Sequence, residues 1–72
     1  MIVRKQNIVD NGEIAVVLVN NEEATVKIFN QTGSIVTLTP QSYNPKHKIQ
    51  VYDLKETGIR ILGKVVRVQY DL

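Results

Sequence analysis

The sequence predicts an all-β domain, a strongly bent antiparallel sheet or small barrel of about six strands. Segments rich in valine, isoleucine and threonine alternate along the chain with short stretches of glycine, asparagine, aspartate and proline, which favour turns. No segment repeats its apolar residues with helical period. These observations favour short strands joined by tight reversals, in a sheet that bends or closes to protect its edges.

Length and charge restrict the class of protein. The 72 residues, 43% of them hydrophobic, make one small globular domain or part of a larger one. A chain this short buries only about 60% of its unfolded surface, so its core is small. Nine Lys and Arg against seven Asp and Glu give a net charge of +2. This charge is too small and too scattered to indicate a basic surface that binds nucleic acid.

The composition also argues against a metal centre, a cofactor and a membrane span. Cysteine is absent, which excludes a disulfide scaffold and a thiolate metal site, and the single histidine, His47, cannot assemble a zinc centre. No apolar run reaches the roughly 18 residues needed to cross a bilayer, and the first residues lack the apolar core of a signal peptide. We therefore expect a cytoplasmic protein without metal, cofactor or membrane partner.

The first strand is predicted at Met1–Arg4, and the polar residues from Lys5 to Asn11 reverse the chain before Gly12. A four-residue strand with no preceding cap or arm leads us to expect that the chain begins in the middle of a structure. We expect residues 1–72 to be a single domain fragment rather than a complete gene product.

A β-hairpin is predicted from Gly12 to Phe29. Its first strand, Ile14–Val19, is apolar on both faces, which indicates a central strand covered on both sides. The turn is assigned to Asn20–Glu23. On the return strand side chains alternate with period two, so Val26 and Ile28 share one face and the other carries Thr25, Lys27 and Phe29.

Three more segments complete the sheet. The turn Asn30–Gly33 leads to a strand at Ser34–Thr39 with one polar face, which Pro40 ends. A polar loop and a strand at Ile49–Leu54 follow. The last strand, Ile59–Tyr70, contains Gly63, which marks a bulge, a bend or a close approach of another backbone. Its polar positions are typical of an exposed edge strand and are Lys64, Arg67 and Gln69.

Lys27 has two interpretations from the residues alone. A strand lysine can lay its long stem along apolar surface while the ammonium reaches water. Alternatively, burial disfavours the charged form, and a neutral amine can act as a general base toward a serine hydroxyl. The general catalytic motifs are absent, and Ser34 and Ser42 lie in turn-forming segments rather than in a nucleophile motif. Asp53 and Asp71 are most simply solvated.

Four stretches in order suggest a family: VRKQ at Val3–Gln6, NGEIAVVLVNNEEATVKIF from Asn11, VTLTPQSYNPKHK from Val36, and ILGKVVRVQYDL at the end. Together they resemble the C-terminal half of the self-cleaving domain of LexA and the phage repressors, Ser/Lys serine peptidases whose fold is shared with signal peptidases. The resemblance covers essentially the whole chain. Its most specific elements are the TVK of Thr25–Lys27 and the terminal LGKVVRV.

The resemblance implies a role for two parts of the chain. Lys27 matches the general base of the family, and the terminal strand matches the one through which such repressors dimerise, here Lys64, Val65, Val66, Arg67 and Val68. The implied function is derepression in the SOS or prophage response. The implied partners are a second copy, the RecA–single-stranded-DNA filament, and operator DNA through an N-terminal helix-turn-helix outside these residues.

The chain departs from the family pattern at the nucleophile. The Ser-Met motif and the scissile bond precede the first strand in the family, and neither occurs here, so residues 1–72 are expected to be inactive as a peptidase. An OB-like or SH3-like barrel that binds nucleic acid or protein is the alternative, although the aromatic residues are widely spaced. A mutasome-type relative is a third hypothesis, and the upstream sequence would separate it from a repressor.

Overall fold

The computed structural model describes residues 2–41 and 48–67. They form one antiparallel sheet of six strands, in the spatial order β1-β6-β2-β3-β4-β5. The strands are β1 Ile2–Lys5, β2 Glu13–Val19, β3 Glu23–Thr32, β4 Ile35–Thr39, β5 Gln50–Asp53 and β6 Ile59–Arg67. The all-β prediction is confirmed, and of the two forms anticipated the open sheet is found, with β1 and β5 at its edges. The residues named above that lie outside the described residues are Met1, Ser42, His47, Val68, Gln69, Tyr70 and Asp71.

The β2–β3 hairpin has the predicted turn. Its register runs from Glu13 opposite Phe29 to Val19 opposite Glu23. Asn20 and Asn21 adopt φ values of 52° and 55°, the left-handed region that asparagine tolerates better than most residues. The next reversal is tighter than the sequence indicated, because β3 continues through Thr32 and pairs with β4 across a two-residue turn in which Gly33 has φ 59°.

One face of the sheet, here called the inner face, carries the core. Its buried side chains, joined by Val9 from the loop before β2, are Ala15, Val17, Phe29, Val36 and Leu38. The expectation that β2 is covered on both sides is correct for this face only. Ala15 and Val17 are 0% exposed, whereas Ile14, Val16 and Leu18 on the outer face are only partly buried. Among the described residues, the fully buried side chains of β2 therefore lie on the inner face alone.

β6 is an interior strand, so its predicted place at an exposed edge is wrong. It pairs with β1 on one side and with β2 on the other. The register with β2 shifts between Val16 and Val17, which leaves Leu62 as an extra residue in a bulge beside Gly63. A Cβ atom at Gly63 would lie 2.6 Å from Cγ1 of Val3 and 2.9 Å from the carbonyl oxygen of Arg4. The glycine therefore marks both a bulge and a close backbone approach, as its interior position predicted.

Candidate functional site around Lys27

Lys27 lies in the middle of β3 on the inner face. It is directly opposite Ala15 of β2, whose side chain is completely buried. Thr25 and Phe29 flank it on the same face, as the period of two predicted, and Lys27 itself is partly buried. The lysine therefore lies at the margin of the core rather than on the outer surface of the sheet.

The strand order brings two further basic residues into line with Lys27. Arg4 is opposite Lys64, Lys64 is opposite Ala15, and Ala15 is opposite Lys27. Directly opposite residues of an antiparallel pair project from the same face. A basic row of Arg4, Lys64 and Lys27 thus crosses β1, β6, β2 and β3, with Ala15 between the two lysines. This row was not predicted from the sequence, since its members come from three distant segments.

Glu13 supplies the negative charge beside this row. Its carboxylate pairs with the ammonium of Lys64, the only ion pair among the side chains of residues 2–41 and 48–66. Its Oε1 also accepts a hydrogen bond of 2.7 Å from the backbone N–H of Asp10. The hydrogen bond from Lys64, followed by the one from Asp10, lowers the pKa of Glu13. The interactions of the ionised Glu13 carboxylate therefore stabilise the fold above the ordinary glutamate pKa. This stabilisation is lost as the pH falls through the lowered pKa.

Thr25 places a hydroxyl on the same face, two residues before Lys27. Its Oγ1 is buried and has no hydrogen-bond partner among the described residues. Two residues along a strand span about 6.6 Å, so this hydroxyl and Lys27 are near neighbours on β3. The inner face therefore combines an amine and an unpaired hydroxyl in one short segment, at the position of the TVK sequence.

A cavity of about 380 Å³ opens on the inner face away from Lys27. Phe29 and Val36 form part of its apolar lining, and Arg60, Asn7 and Gln31 add polar groups. Lys27 does not line it. Within the described ranges, no group of three His, Cys, Asp or Glu side chains could hold a metal ion, and no helix is long and apolar enough to cross a membrane.

The residues predicted for dimerisation occupy the end of β6. Val65 is buried, and Val66 is 39% exposed. β2 pairs with β6 only as far as Lys64, so the following residues of β6 have no partner on the β2 side. Lys64 itself forms an ion pair with Glu13 of the same chain. Val68 lies outside the described residues.

Comparisons with known proteins agree on one family. A model of the Peptidase S24-like family matches residues 1–66. The LexA repressor of Pseudothermotoga lettingae is 38% identical over 68 residues, which are 94% of this chain and 32% of the relative. LexA repressor 2 of Nocardia farcinica is 41% identical over 94% of this chain and 25% of its own length. The LexA repressor of Bacillus velezensis is 38% identical over 94% of this chain and 30% of its own length. The chain thus spans about a quarter to a third of the curated relatives it matches.

Proposed function

The chain belongs to the Peptidase S24-like family, and we propose that it forms the C-terminal part of the regulatory domain of a LexA-like repressor. In this role it dimerises the repressor and supplies Lys27 as the general base of intramolecular self-cleavage. The observation that carries the proposal is the place of Lys27 in the TVK segment, on the core-bearing face and opposite the fully buried Ala15. The OB-like or SH3-like alternative gains no support, because the described sheet is open.

The proposed chemistry needs a neutral amine and a serine. Lys27 is proposed to act as this base, and its amine accepts the proton of a serine hydroxyl. The serine oxygen then attacks the carbonyl carbon of the scissile peptide bond, and the leaving amine takes up the proton. The nucleophile belongs to the Ser-Met segment that precedes the first strand in the family. Ser34 cannot replace it, because it lies in the turn beyond β3, at least five residues past Lys27 along the strand.

Self-cleavage of a protein extended upstream through a Ser-Met segment and its scissile bond tests the proposal. At alkaline pH we expect two products from the extended protein, and a loss of cleavage of at least about a hundredfold in Lys27→Ala, because general-base catalysis contributes that much or more. Lys48→Ala, at an exposed lysine outside the strands, is the matched control and should cleave normally. Residues 1–72 alone should remain one band. Cleavage that survives Lys27→Ala, or that occurs within residues 1–72, would refute the assigned base or nucleophile.

The end of β6 supports the proposed dimerisation. Val65 and Val66 continue the strand beyond its last β2 partner, which leaves backbone groups on that side for a second copy. Two such ends can pair antiparallel about a two-fold axis. A dimer links two DNA half-site contacts, so cleavage that separates the dimerising part from the DNA-binding part lowers operator affinity without changing a DNA contact. The RecA–single-stranded-DNA filament is the proposed stimulus of cleavage, and operator DNA is bound through another domain.

We expect Val66→Asp to weaken self-association of the chain about tenfold or more, since an unpaired carboxylate would be desolvated at the new interface. Light scattering over a micromolar concentration series measures the change. Val51→Asp is the control, because Val51 is 63% exposed on the edge strand β5. If Val51→Asp separates the subunits and Val66→Asp does not, the interface lies at β5 instead. A strict monomer of 8.2 kDa at every concentration would contradict association altogether.

A further inference from the structure

Glu13 has two lysines within its reach by register and pairs with one of them. It precedes Ala15 by two residues on β2, and Ala15 is directly opposite both Lys64 of β6 and Lys27 of β3. Each lysine is therefore a diagonal neighbour of Glu13 on the inner face, at a separation that long side chains can bridge. The carboxylate nevertheless pairs with Lys64, and among the described residues no ion pair joins it to Lys27.

The choice of partner matters for a general base. A carboxylate beside an ammonium stabilises the charged form of the amine, whereas a base must be free to lose that proton. An ion pair between Glu13 and Lys27 would therefore oppose the neutral amine. We propose that Lys64 is a positioning residue that holds the Glu13 carboxylate and so keeps Lys27 out of an ion pair.

Backbone hydrogen bonds hold Glu13 at the start of β2, where both lysines can compete for its carboxylate. The N–H of Gly12 donates to the carbonyl of Phe29 at 2.8 Å, and the N–H of Glu13 donates to the carbonyl of Asp10 at 3.2 Å. With the N–H of Asp10 bound to Oε1, the glutamate is fixed at the start of β2 between the two lysines. The charged groups that face it are Lys64 from β6, Lys27 from β3 and, beyond Lys64, Arg4 from β1.

The exchange of partners is testable in the chain itself, without any peptidase activity. The pKa of the Glu13 carboxyl is followed by carbon NMR in the wild type, Lys64→Met, Lys27→Met and the double variant. We expect it to stay below its ordinary value in both single variants, since one lysine remains in each, and to rise only in the double variant. A rise already complete in Lys64→Met, with no further rise when Lys27 is also replaced, would overturn the inference. Lys64→Arg keeps the charge and serves as the conservative control.

The catalytic consequence rests on the proposed function and is measured in the extended protein. Lys64→Met should slow self-cleavage about two- to fivefold at neutral pH, the range set by a partly exposed ion pair, and should move the pH–rate profile to higher pH. Adding Glu13→Gln should restore the rate, which a merely structural role for Lys64 would not allow. Lys55→Met, at an exposed lysine in the turn before β6, should cleave normally. If Glu13→Gln fails to restore the rate, the positioning role is refuted. If no extended protein cleaves, the proposed function fails. The Glu13 titration still shows whether Lys27 can replace Lys64 as the ion-pair partner of Glu13.

Discussion

Gly63→Ala is expected to lower the free energy of unfolding by about 3 kcal/mol, at the upper end of the usual cost of overpacking. The new Cβ would lie 2.6 Å from Cγ1 of Val3 and 2.9 Å from the carbonyl oxygen of Arg4. The valine can rotate away, but the carbonyl belongs to the backbone of β1. Relief therefore requires β1 to move away from β6, which breaks the hydrogen-bonded ladder between them. Urea denaturation of the variant measures the loss.

Two further variants sharpen this test. Gly58→Ala is the matched control, because a Cβ there would meet nothing closer than Oδ1 of Asn20 at 3.9 Å, and a change within about 0.5 kcal/mol is expected. Val3→Ala combined with Gly63→Ala should recover part of the stability, since it removes the Cγ1 contact and leaves the contact with Arg4. Equal effects of the two glycine substitutions would show that the approach of β1 to Gly63 is not tight.

Leu38→Ala is expected to cost about 3 kcal/mol through the lost burial and the cavity left behind. Leu38 is 0% exposed on the inner face of β4, opposite Phe29, which is 3% exposed. Domains of this size have unfolding free energies of about 4–11 kcal/mol, so one such cavity removes a large share of the total. The expected result is a lower urea midpoint with an unchanged slope.

Leu62→Ala makes the same chemical change at a different site. Leu62 is the extra residue of the bulge in β6 and is 37% exposed, so we expect a loss under about 1.5 kcal/mol. Equal losses at Leu38 and Leu62 would contradict the assignment of the core to the inner face. A larger loss at Leu62 than at Leu38 would indicate that the bulge in β6 is packed in solution.

Local pattern predicted most of the secondary structure. Segments rich in β-branched residues, some of them with alternating polar and apolar positions, located all six strands, and Asn20 and Gly33 lie in turns that the sequence indicated, although the second turn is shorter than expected. The same alternation placed Lys27 with Thr25 and Phe29, because a period of two is a property of the strand itself. The order of four sequence stretches also indicated the family that the comparisons confirm.

The sequence by itself therefore determined the strands, the β2–β3 hairpin and the face on which Lys27 lies. Only the tertiary structure decided that β6 inserts between β1 and β2, that Lys64 lines up with Lys27 across Ala15, and that Glu13 pairs with Lys64. Each of these facts joins β6 to residues 37 or more positions earlier in the chain. Side-chain alternation specifies which face a residue occupies but carries no information about which strand becomes its neighbour, and that choice depends on the packing of the whole sheet.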